Sequence, residues 1–90
     1  MSRDIELVTQ IAVSPDLWTS AIMPEGILER WMYDDGSEVK AGDAIAAVRI
    51  ESALHDLMAP CRGRLKIDCR NNSVIEPGAV IGRITRTIAM

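Results

Sequence analysis

The sequence predicts an all-β domain, a sandwich or flattened barrel with approximate internal two-fold symmetry. Three observations lead there. The chain is similar to itself at a spacing of about 36 residues, the kind of periodicity that marks duplicated supersecondary units. Each half breaks into short apolar runs separated by turn-forming clusters, the signature of closely spaced strands. The apolar 48% of its 90 residues contains only 3% aromatics and no Phe, so the core must be built from Ile, Val, Leu, Met and Ala.

The first strand is predicted over Ile5 to Val13, where Ile5, Leu7, Ile11 and Val13 alternate with Glu6 and Gln10, the period of a half-buried strand. Ser14-Pro15-Asp16 ends it. The connection from Leu17 to Pro24 is unusually apolar for a loop and carries Trp18, Ile22 and Met23. The repeat then begins. Trp31 matches Ile67, Tyr33 matches Cys69, Gly36 matches Asn72, Val39 matches Ile75, Gly42 matches Gly78, Ile45 matches Ile81 and Val48 matches Ile84. Gly26 and Gly63 open the halves one residue out of step. Gly and Asn are the residues that most readily take positive φ, so Gly36 and Asn72 are expected to occupy equivalent turns. Each half reads strand, turn, short strand, Gly-led turn, strand. No window reads as helical: Leu28 to Tyr33 has the propensity, but the turn cluster Asp34-Asp35-Gly36-Ser37 after it and its repeat partner at Leu65 to Cys69 favour a strand.

Composition excludes several functions. The net charge of -3, the pI near 5.0 and eight arginines scattered among thirteen acids leave no electrostatic footprint for nucleic acid. Cys61 and Cys69 do not have zinc-site spacing and read as free thiols, which with the lack of a signal-peptide pattern points to a cytoplasmic protein. No segment approaches the roughly 20 apolar residues that span a bilayer. Residues 1–90 are expected to form one domain with its core over about 5–86.

The run Val48-Arg49-Ile50-Glu51-Ser52-Ala53-Leu54-His55-Asp56-Leu57-Met58-Ala59-Pro60, together with Glu25-Gly26 to Val39 and Pro15-Asp16-Leu17, resembles the lipoyl and biotinyl attachment domains. The similarity covers about Ile5 to Ile84 and is nearest in flavour to the lipoyl domain of dihydrolipoamide acyltransferases of 2-oxo acid dehydrogenase complexes. The resemblance implies two packed four-stranded antiparallel sheets in a barrel-sandwich hybrid, with residues 51 and 52 at the tip of a tight hairpin. It also implies that the modified lysine of the family corresponds to Ser52, flanked by Glu51 and Ala53. A serine hydroxyl supplies neither the amine nor the reach of a lysine. No lipoate or biotin is therefore expected. Lys40, near a turn, and Lys66, within a strand, lie off the presented hairpin and read as solvated charges.

Ser52 reads as an ordinary turn residue, and no catalytic residue is assigned. A nucleophilic serine needs a base and an oxyanion hole, and the single histidine, His55, falls on the opposite face of the strand from Ser52. No metal site is expected. Leu17, Trp18, Glu51, Ser52 and Asp56 are the candidates for contact with a protein partner. For Trp18 two readings stand: an exposed anchor in an apolar patch, or a side chain folded back over one end of the barrel. Trp31 is placed in the core. Arg49, Glu51 and Asp56 read either as a recognition surface or as a charged edge that discourages aggregation.

The function these readings support is that of a non-enzymatic docking, scaffolding or regulatory module. Its partner would be a 2-oxo acid dehydrogenase component or a carrier-domain ligase. The alternative is an active lipoyl or biotin carrier in acyl or carboxyl transfer.

Overall fold

The computed structural model describes residues 4–89. Eight strands form two four-stranded antiparallel sheets. They are β1 (Asp4–Ala12), β2 (Gly26–Trp31), β3 (Glu38–Val39), β4 (Ala44–Ile50), β5 (Ala53–Met58), β6 (Gly63–Ile67), β7 (Ser73–Ile75) and β8 (Val80–Ala89). The strand orders are β1-β8-β6-β3 and β5-β4-β2-β7. The sheets remain open and do not close into a barrel. Exchanging β1 with β5, β8 with β4, β6 with β2 and β3 with β7 converts one order into the other, so the sequence repeat is the two-fold symmetry of the fold.

The symmetry extends to hydrogen bonds that strand periodicity does not specify. The Trp31 amide donates to Asn71 Oδ1 at 3.1 Å, and the Ile67 amide donates to Asp35 Oδ1 at 2.7 Å. Each half thus uses a turn acid or amide to hold the end of the other half's strand. Gly36 and Asn72 both have positive φ, 89° and 69°, and their amides donate to Leu65 and Leu28 carbonyls in the facing half.

The core lies between the sheets. Ile11, Val39, Leu65, Ile81 and Ile84 come from one sheet and Leu28, Ile45, Val48, Ile50 and Ile75 from the other. Trp31 is only half-buried: it packs against this core, and its indole Nε1 donates to the Cys69 carbonyl at 2.8 Å. Two further expectations change. The stretch after Ser14 contains a single 3-10 turn, Pro15–Trp18, because the Ser14 side chain accepts from the Asp16 amide and Pro fits the first turn. In β1, Ile11 is buried but Ile5 and Leu7 are exposed. Alternation identified their shared face, but among the described residues no second layer covers that end of the strand. Among the described residues, no helix is long and apolar enough to cross a membrane.

Candidate functional site

β4 and β5 form a hairpin whose last pair is Ile50 with Ala53, leaving Glu51 and Ser52 as a two-residue turn. Its root is fixed by Ile50, which is buried in the core. Tight two-residue turns demand positive φ at one or both central positions. Glu51 supplies it at φ 55°, an uncommon conformation for a non-glycine residue.

The Glu51 side chain supports this conformation. Its Oε2 accepts from the backbone amides of Ile22 at 2.8 Å and Met23 at 3.2 Å. Charge-assisted bonds of this type are stronger than neutral ones. They fasten the segment after the 3-10 turn to the hairpin, although the two are far apart in sequence. Glu51, a candidate for partner contact on sequence grounds, is thus engaged within the chain. Replacing Glu51 with Ala is expected to reduce stability by about 1–2 kcal/mol and to speed amide exchange at Ile22 and Met23 selectively. Unchanged exchange at those two amides would show that the carboxylate does not hold the segment.

The same segment divides in its burial. Trp18 is 8% exposed and belongs to the core, whereas Ile22 is 91% exposed. Trp18 therefore adopts the folded-back arrangement, with its ring edge over Gly26. Its Nε1 has no hydrogen-bond partner among the described residues.

Leu17 is half-buried between two open clefts. One, about 310 Å³, is also lined by Ala21, Glu51, Ala53 and His55. The other is bordered by Asp56, Leu57 and Met58. The structure thus brings Leu17, Glu51 and Asp56 to one side of the hairpin, with Ser52 exposed at its tip. His55 enters the site as a lining residue of the first cleft. Sequence reasoning missed that role because it depends on the β4–β5 register, which pairs His55 with Val48. No hydrogen bond joins His55 to Ser52 among the described residues. Arg49 lies on β4 behind the tip and is paired with Glu29 at 3.0 Å.

The two lysines lie elsewhere. Lys40 precedes β4, at the end of the hairpin opposite its tip, where its amide donates to Asp43 Oδ2 at 2.8 Å. Lys66 lies in β6 of the other sheet.

A protein-family model described as Biotin-requiring enzyme matches residues 14–84. No curated protein matches the chain.

Proposed function

The chain belongs to the biotin/lipoyl attachment-domain family, and on that premise we propose that it is a non-catalytic docking module that presents the family's hairpin without a prosthetic group. The observation carrying this reading is the composition of the hairpin tip: Glu51 and Ser52 stand between the last paired residues, Ile50 and Ala53. Lipoate and biotin are held through an amide, which requires an amine at the tip. A carboxylate and a hydroxyl do not provide one, and that carboxylate already accepts two backbone amides. The residues present therefore do not fit the group, and Ser52 is read as the family's lysine position.

What remains is a shaped protein surface. Ser52 is exposed at the tip, half-buried Leu17 shares a cleft with Glu51 and Ala53 beside it, and exposed Asp56 lies farther along β5 opposite Ala47, with Ile22 and Leu54 as exposed apolar side chains near the tip. Isolated apolar side chains framed by polar ones suit recognition by a protein that also reads carrier hairpins. The partner class is a 2-oxo acid dehydrogenase component or a carrier-domain ligase, and the protein does not catalyse a reaction of its own.

Intact mass spectrometry tests this after co-expression with lipoyl and biotin ligases and both vitamins. The wild-type chain is expected to keep its unmodified mass, and Ser52→Lys is expected to gain lipoate or biotin. A mass increase in the wild type would overturn the reading in favour of an active carrier. Failure of Ser52→Lys to be modified, beside a modified control domain, would show that the hairpin no longer has carrier presentation geometry.

A further inference from the structure

We propose that the arm formed by the ends of β1 and β8 pairs with the same arm of a second copy of this chain, giving a symmetric dimer. The two-fold symmetry within the chain exposes the anomaly. In one half the β4–β5 hairpin turns back at Glu51–Ser52. In the other half β8 continues through Arg86, Thr87, Ile88 and Ala89, accompanied by Asp4 to Leu7 of β1. β6 pairs with β8 only from Gly82 to Thr85. Beyond Thr85 the β6-facing edge of β8 has no neighbouring strand among the described residues.

An isolated two-stranded ribbon is marginal in water, and an open strand edge is a template for another chain. This ribbon also keeps the core-facing side chains of its sheet: Ile5, Leu7 and Ile88 lie on the same face as Ile11 and Ile84 and are exposed. The molecule consequently measures 55 × 21 × 19 Å. Its accessible surface is 5951 Å², against about 5,200 Å² for a compact monomer of its mass. The excess is close to the roughly 800 Å² that each partner contributes to a standard interface.

The gap beside the arm indicates the occupant. It is bordered by Gly63, Arg64 and Arg86, with the acids Glu6 and Glu38 also on its rim, and its inner side by Lys40; Glu38 is paired with Arg64 at 3.5 Å. A second β8 laid antiparallel along the free edge runs in the direction of β6, so its tip meets Gly63 end to end. The partner's β1 then falls in line with β3, and the partner's Asp4 approaches Lys40. Asp4 lies on the projecting arm and Lys40 borders the gap, so one surface carries both members of this complementary pair. A two-fold operation uses each pair twice.

Sedimentation equilibrium of the 90-residue chain reads the result, together with circular dichroism to confirm folding. The wild type is expected at twice the 9.9 kDa chain mass. Ile88→Glu, on the exposed arm, is expected to raise the dimer dissociation constant about tenfold or more, while Val74→Glu, exposed on the other sheet, leaves it unchanged. Asp4→Arg is expected to weaken the dimer and Lys40→Glu to restore it when combined with Asp4→Arg. A monomeric wild type at 100-micromolar-order concentration, as when the arm serves a different protein, overturns the proposal. So does a dimer unaffected by folded Ile88→Glu and Asp4→Arg variants. These readouts do not depend on Ser52 or on modification, so they stand or fall separately from the docking role.

Discussion

Trp18→Ala is expected to remove about 3–5 kcal/mol of stability, the range for truncating a buried aromatic side chain. A domain of this length holds on the order of 5–13 kcal/mol in total, so the variant should lose from about a quarter of its stability to all of it. The indole is 8% exposed and joins a core otherwise made of aliphatic side chains. It covers Gly26 with its ring edge, and no neighbouring Phe exists to fill the space. Trp18→Phe should behave quite differently. It sacrifices some buried area but removes an Nε1–H that has no partner, and leaving such a donor buried costs about 1–3 kcal/mol. The two terms oppose each other, and the variant is expected within about 1 kcal/mol of wild type. Urea denaturation of the three proteins decides the matter: a Trp18→Ala midpoint close to wild type would show that the indole is not part of the core. The practical consequence is that loss of partner binding in Trp18→Ala would report lost core stability as well as any lost contact. Leu17→Ala and Asp56→Ala are the variants that interrogate docking.

The fold was legible because its evidence is redundant. The repeat pairs Gly36 with Asn72 and Val39 with Ile75, and the structure places each pair in equivalent turns and strands. Side-chain bonds that cross between halves, such as Asp35 to the Ile67 amide, were not legible, since they link positions with no periodic relation along either strand. The site was less accessible for a related reason. Alternation assigns a side chain to a face but does not say whether anything covers that face. Ile11 and Leu7 have the same parity in β1, yet one is core and the other solvent-facing. Trp18 and Ile22 are both apolar residues of one segment. Their opposite fates depend on the 3-10 turn that directs Trp18 inward and on Glu51, which pins Ile22 by its backbone alone. A carboxylate at a hairpin tip carries no sequence mark of whether it faces a partner or its own chain.

Gly63→Ala is expected to be the most damaging single-methyl addition among the strand glycines, at about 3 kcal/mol or more. Gly26→Ala, its counterpart in the repeat, should cost roughly 1–2 kcal/mol. The contrast arises from backbone geometry. Gly63 has φ 148°, a conformation that L side chains rarely adopt, and a Cβ there would lie 2.5 Å from the Thr85 carbonyl oxygen and 2.6 Å from Ile84 Cγ2. Both obstacles belong to β8, the strand immediately beside it, and Ile84 is fully packed in the core. Relief would require separating β6 from β8. At Gly26 the nearest atoms are the Arg49 carbonyl oxygen at 3.0 Å and Ile50 Cγ1 at 3.1 Å, contacts that shifts of a few tenths of an ångström relieve. The one-residue offset between these glycines in the sequence repeat corresponds to a bulge in β2, where the register with β4 shifts between Leu28 and Arg30. Gly63 begins β6 where the gap meets the projecting arm, so its substitution should also loosen the β6–β8 ladder there. Thermal denaturation of the two variants is sufficient to test the asymmetry. Equal losses at both positions would mean that β6 and β8 yield more readily than their packing implies, and the close approach at Gly63 would then no longer explain why glycine stands there.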